Sequence, residues 1–300
     1  MEPASPGHRR SGPLGGQGAT RSEQPWGHHI LIGVFDSGIG GLSVLKALRQ
    51  TLPQHDFTYV ADSGHAPYGE RDEAYVLART RAVSDWLIAQ EIEALVIACN
   101  TATAAAVHLL RAAHPGLPII GLEPALKPAV SLTKTGRVGV MATRSTLASA
   151  KFRALHASLE QSADFTLQPC DGLAGAIERS AAGEARAEVK ALCAQYITRM
   201  GPFGNAPGEI DTLVLGCTHY PFVAGDIRQL VGDGVQLVDT GEAVARHTAR
   251  ILAETAVKNA VVPASRPGAV ALLTTGDPAL LEQAAAKWLE ISATAGHLSI

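Results

Sequence analysis

The sequence is short of several things, and each shortage removes a class of function. No apolar run approaches the roughly 18–20 residues that a membrane-spanning helix needs, so no membrane partner is expected. Net charge is small: 25 Lys and Arg stand against 28 Asp and Glu, a balance of −3. Without a cationic excess there is no electrostatic case for nucleic acid or an anionic membrane surface. Cysteine is scarce too. Four cysteines, none in a Cys-x-x-Cys pair, are too few and too scattered for a disulfide scaffold or a zinc cluster, and no metal is expected. A cysteine that matters here is a working thiol in a reducing compartment, which implies the cytoplasm. What is present is a chain of 300 residues, 46% hydrophobic and 18% charged, long enough for one large domain or two medium ones.

Residues 1–28 differ from the rest. Ten of them are Gly or Pro, apolar residues are sparse, and Arg9, Arg10 and Arg21 mix with Glu2 and Glu23. No apolar stretch follows the arginines, so the segment reads as a disordered tail, not a secretory leader. From His29 onward short apolar runs alternate with helical patterns. Strands are predicted at Ile30–Phe35, Phe57–Ala61, Leu95–Ala98, Ile119–Leu122, Val138–Met141, Leu213–Leu215, Gln236–Val238 and Val270–Leu273. Leu42, Leu45 and Leu48 mark the buried stripe of one helix. Val76, Thr80, Val83 and Leu87 mark another, over Glu73–Gln90. Continuous apolar strands alternating with helices imply parallel sheets covered on both faces, an α/β fold. Two stretches also echo one another. Ile32–Ser37 resembles Val138–Thr143, and Ala94–Cys99 resembles Thr212–Cys217. The echo predicts two similar lobes, with ligand bound where the carboxyl ends of both sets of strands meet.

The chemistry-bearing residues stand at those ends. Cys99 closes a strand, and Asn100, Thr101 and Thr103 open a helix whose dipole is expected to lower the thiol pKa below ~8.5. Cys217 has a comparable setting, with His219 two residues on and able to exchange a proton with it. A hydrolase built on Cys217 and His219 would leave Cys99 surplus, and it predicts that Cys99→Ser stays active. A redox pair would need the two sulfurs within bonding distance. Racemisation needs a base on one face of a carbon and an acid on the other, with the roles exchanged in the reverse direction. Two like thiols on two lobes meet that symmetry. Asp36 then holds Cys99 as a thiolate or holds the substrate ammonium, and His219 serves Cys217.

Other features are weaker. Gly38, Gly40 and Gly41 lie at a strand–helix junction like a dinucleotide loop, but Ser43 holds the last position of Gly-x-Gly-x-x-Gly. Asp36 would also put a negative charge beside any phosphate there. Tyr68 and Gly69, in the polar loop after Asp62, offer a hydroxyl and a backbone N–H to a carboxylate. Cys170 and Cys193 read as structural. Glu123 and Glu178 are not separable from ordinary solvated carboxylates.

Taken together, the motifs resemble the glutamate racemase family. The likeness is carried by Phe35–Gly41, Pro67-Tyr68-Gly69, Ala98–Ala102 and Leu215–Pro221. Val60–Ser63, Gly121–Pro124, Gly139–Thr143, Val238–Gly241 and Thr275–Pro278 add to it, from about Ile30 to the C-terminal end. The resemblance implies a cofactor-independent enzyme that interconverts L- and D-glutamate and supplies D-glutamate for peptidoglycan. It implies two α/β lobes with the active site in the cleft between them, residues 29–125 plus 238–300 forming one and 126–237 the other. By position, Cys99 and Cys217 are the acid/base pair, with Asp36 and His219 as catalytic helpers. The substrate contacts it implies are Asp36, Ser37, Tyr68, Gly69, Asn100, Thr101, Thr218 and His219, and Thr143 lines the same pocket. A homodimer is compatible with the sequence. Around Ala174 and Gly175 the chain departs from the family's more apolar, proline-containing run, so no role is carried over to Glu178.

Overall fold

The computed structural model describes residues 30–259 and 267–300, which leaves the tail expected at 1–28 outside the described residues. Two parallel sheets form the molecule's frame. The first contains β1 (Leu31–Asp36), β2 (Asp56–Ala61), β3 (Ala94–Ile97) and β4 (Ile119–Gly121). The second contains β5 (Arg137–Ala142), β6 (Asp164–Pro169), β7 (Thr212–Gly216) and β8 (Gln236–Val238). The chain then returns to the first sheet with β9 (Val270–Thr274) and β10 (Ala295–His297), giving the orders β10-β9-β2-β1-β3-β4 and β6-β5-β7-β8.

Helices cover these sheets. In the first half of the chain they are α1 (Leu42–Thr51), α2 (Glu73–Ala89), α3 (Asn100–Ala113) and α4 (Leu126–Leu132). Next come α5 (Arg144–Ala148), α6 (Ala150–Ala157), α7 (Leu173–Ala181) and α8 (Arg186–Met200). The last are α9 (Ala224–Val231), α10 (Gly241–Asn259) and α11 (Pro278–Leu289).

The strand alternation sorts the core. Ile32 and Val34 of β1 face one way, onto Leu42, Leu45 and Leu48 of α1 and onto α10 and α11. Phe35 and the β3 residues Leu95 and Ile97 face the other way, onto Val76, Val83 and Leu87 of α2 and onto α3. The second sheet is divided in the same manner. Met141 and Leu213 meet α7 and α8, while Val138, Val140 and Val214 meet α4 and α6. Each fully buried aliphatic side chain contributes about 1.5–3 kcal/mol, so these four clusters hold the sheets in their registers.

The sequence echo corresponds to a register. Ile32 pairs with Ala94 across β1 and β3, and Val138 pairs with Thr212 across β5 and β7. These are the same four positions that match in the sequence. Moreover, β2-β1-β3-β4 and β6-β5-β7-β8 have the same order, so β1 corresponds to β5 and β3 to β7. In both sheets the chain reverses direction of travel between these two strands, the place where α/β sheets open a crevice for ligand.

Two strands were not predicted. β6 has mostly exposed or half-buried residues, and β10 is the three-residue edge strand Ala-Gly-His. Edge strands of this kind bury too little to show an apolar run.

Candidate active site

Both crevices open on one narrow cavity of about 30 Å³. Its wall takes Ser37 after β1, Tyr68 and Gly69 after β2, and Cys99, Asn100 and Thr101 after β3. From the second sheet it takes Thr143 after β5 and Cys217, Thr218 and His219 after β7. Of the residues picked from sequence, only Asp36 is missing from the wall. It lies directly behind it, fully buried. The two thiols are only 5% and 8% exposed.

On the first sheet, β1 ends in Asp36 and α1 begins a few residues later, so the carboxylate caps the intervening turn. The Gly41 N–H donates to Asp36 Oδ2 at 2.6 Å. Ser37 Oγ stands 3.5 Å from Asp36 Oδ1 and 3.6 Å from Cys99 Sγ, linking carboxylate to thiol. Burial pushes the Asp36 carboxyl up to about 6, although His219 and the Gly41 N–H pull the other way. Cys99 caps α3 by accepting the Ala102 N–H at 3.5 Å. The expected lowering of its pKa is reversed. Burial, and then the Asp36 charge, raise it above the ordinary thiol value despite that N–H.

On the second sheet, His219 is held between two partners. Nδ1 lies 3.6 Å from Cys217 Sγ, and Nε2 lies 2.6 Å from Glu178 Oε1. Burial by itself would lower the imidazole pKa. The hydrogen bonds and charges of Cys217 and Glu178 outweigh burial and hold it well above its usual value.

Glu178 is the residue that sequence reasoning left aside. It sits on α7 of the second sheet, yet the Ile39 N–H of the first donates to the same Oε1 at 2.8 Å. The glycines of the 38–41 turn carry the signal that could have found it. A Cβ on Gly38 would lie 1.9 Å from Glu178 Oε1, and one on Gly40 would lie 2.4 Å from His219 Nδ1. The turn is glycine-rich because side chains of the other sheet press into it, not because it cradles a phosphate.

Cys170, read as structural, also reaches the cavity wall, whereas Cys193 is buried within the α7–α8 core. The Tyr68 hydroxyl is committed elsewhere. It donates to Asp62 Oδ2 at 2.5 Å, and the residue is 1% exposed, so its proton is not free for a ligand. Asn100 behaves in the opposite way: both of its buried amide atoms lack a protein partner and it lines the cavity, the arrangement expected of a group reserved for ligand. Among the described residues no cluster of His, Cys, Asp and Glu has metal-binding geometry.

This fold and site define an amino-acid racemase. The sequence profile of the Asp/Glu/Hydantoin racemase family matches residues 32–248, and the chain belongs to that family. Its curated relatives include a glutamate racemase of Cupriavidus pinatubonensis, 47% identical over 271 residues, covering 90% of this chain and 95% of that protein. A solved glutamate racemase isoform from Bacillus anthracis superposes with a TM-score of 0.78 at 30% identity, over 91% of this chain and 98% of the other. The Escherichia coli glutamate racemase, solved with L-glutamate and the activator UDP-MurNAc-Ala, superposes with a TM-score of 0.76 at 28% identity, over 91% and 99%.

Proposed function

We propose that this protein is a glutamate racemase that moves the α-proton between Cys99 and Cys217 without a cofactor, supplying D-glutamate for peptidoglycan. The observation that carries this reading is the placement of two thiols at equivalent strand ends of two like-ordered sheets, on one cavity. The lobes are residues 29–125 with 238–300, and 126–237.

One thiolate removes the α-proton while the opposite thiol donates its own to the other face. Each turnover therefore leaves the proton on the other cysteine, and reversal restores it. Asp36 and His219 reset the pair: His219 exchanges a proton with Cys217 directly, and Asp36 acts on Cys99 through Ser37 or on the substrate ammonium. The substrate carboxylates are held by neutral donors, namely the hydroxyls of Ser37, Thr101, Thr143 and Thr218, the Asn100 amide, and the Gly69 and α3 backbone N–H groups. Neutral donors at a helix N-terminus stabilise the negative charge that builds up as the α-proton leaves. Burial of the site keeps bulk water away from the carbanion.

The chemistry belongs in the cytoplasm, where thiols stay reduced. No helix among the described residues is long and apolar enough to cross a membrane.

The test is proton NMR of the purified protein with L-glutamate in D2O, followed in parallel by circular dichroism. Loss of the α-proton signal with decay of optical activity to zero is expected. No exchange with glutamate would overturn the reading, and exchange with aspartate alone would reassign the substrate.

A further inference from the structure

The two sheets are joined on both sides of the cavity. Behind Cys217 the seam is dense. Glu178 accepts from Ile39, Ser43 Oγ donates to the Thr218 carbonyl at 2.9 Å, and Lys287 Nζ donates to the Ser180 carbonyl at 3.1 Å. Phe222 stacks on Trp288 there with ring centroids 3.9 Å apart. Across the cavity the wall is the segment 66–70, whose five residues all face it. That segment is rooted in the first sheet through Tyr68 and Asp62. It meets the second through the Ser145 hydroxyl on the Gly69 carbonyl at 2.6 Å and the Gly172 N–H on Glu70 Oε1 at 3.1 Å.

With both thiols buried, substrate enters only if part of the wall parts. Thr101 Oγ1 at 3.1 Å from Thr143 Oγ1 and Lys151 Nζ at 2.9 Å from Glu123 Oε1 keep α3 and the end of β4 joined to the second sheet, so the segment 66–70, held there by two single hydrogen bonds, is the part of the wall to release. Gly172 caps α7, so its N–H is an unpaired donor at the positive end of a helix, and the Glu70 carboxylate is its natural counterpart. We propose that Glu70 is a positioning residue, a clasp that fastens the 66–70 segment onto the start of α7 and encloses the substrate until it releases. Ser145 is its second fastening. The inference rests on the reading of Cys99 and Cys217 as the reacting thiols.

The experiment measures access to those thiols, independently of turnover. Full-length protein is exposed to iodoacetamide, and alkylation of each cysteine is followed by peptide mass spectrometry. Glu70→Ala and Ser145→Ala are each expected to raise the rates at Cys99 and Cys217 about tenfold, the effect of one lost hydrogen bond on a local opening equilibrium. Glu70→Gln, whose amide oxygen still accepts from Gly172, is expected to stay near wild type. Cys193, buried outside the cavity wall, reports global unfolding and is expected to be unchanged. Equal rates in wild type and both alanine variants would overturn the clasp, as would a parallel rise at Cys193. Failure of wild type to racemise glutamate would sink the proposed function instead, and would leave the alkylation result standing.

Discussion

Cys99 follows β3 and Cys217 follows β7, strands that hold the same place in two sheets of the same order, yet the groups around the two thiols differ in sign. Cys99 caps a helix of 14 residues but faces the carboxylate of Asp36 through Ser37. Cys217 opens only a short 3-10 turn, Tyr220–Val223, but faces the imidazole of His219. Burial and Asp36 together keep the proton on Cys99. Cys217 and Glu178 together keep a proton on His219, ready for exchange. A duplicated scaffold therefore supplies symmetry of position, and the neighbours break the symmetry of charge. Two-base chemistry needs both protonation arrangements of the pair within reach, and unlike neighbours give each thiol its own route for proton exchange.

The sharpest way to break the comparison is to remove each thiol. Cys99→Ser and Cys217→Ser should each lower racemisation by about a thousandfold or more, the scale of a lost acid–base group. Each variant should still eliminate a leaving group from a glutamate analogue, but from one enantiomer only, and from opposite enantiomers. Equal effects on both enantiomers would end the one-thiol-per-face assignment.

Replacing the neighbours should have a smaller effect, of about a hundredfold for Asp36→Asn and for His219→Asn. Enantiomers have equal free energy, so kcat/KM must fall equally in the two directions in every variant. The split must appear in kcat and KM separately, and in opposite directions for the two variants. Identical splits would show that the two helpers are interchangeable.

The pH profile sharpens the same contrast. Activity should fall on the acid side near pH 6 as Asp36 takes up a proton. On the alkaline side it should fall as His219 loses one, and Glu178→Gln should bring that limb to lower pH by removing the contact that holds His219 high. Stability carries a matching sign. The folded pKa of Asp36 lies above its ordinary 3.8, so its contribution is present below that value and is lost as pH rises through about 6. Asp36→Asn should therefore unfold at higher denaturant than wild type above pH 6, by on the order of 3 kcal/mol at most, with the gap closing below pH 4.

Much of this is readable in the sequence. β1, β3, β5 and β7 are buried on both faces, so each shows an apolar run, and cysteines mark the ends of β3 and β7. Glu178 was not readable. It acts across the two sheets, on Ile39 and His219, and local sequence records only a carboxylate on a helix of mostly small residues. The pKa of Cys99 runs against the sequence-based expectation because only the dipole at α3 is local and legible. The burial and the Asp36 charge that outweigh it come from the tertiary fold.

The smallest effect concerns Tyr68, a further titratable group near Cys99 on the first sheet. Burial and the Asp62 charge push its hydroxyl far above the ordinary range, so it stays neutral and adds no second base beside Asp36. Its hydroxyl is one of four contacts on Asp62. The others are Arg79 Nε at 3.0 Å, Arg79 Nη2 at 2.9 Å and Thr275 Oγ1 at 2.8 Å. Removing one donor from a carboxylate that keeps three should lower unfolding stability by about 2 kcal/mol. The ring remains in the wall, so Tyr68→Phe should change kcat/KM by less than about threefold, a fraction of what loss of an acid–base group does. Urea unfolding and steady-state kinetics on the one variant check both numbers. A hundredfold loss of turnover with stability intact would make Tyr68 a working acid on the Cys99 side, and the contrast between a carboxylate-backed and an imidazole-backed thiol would have to be redrawn.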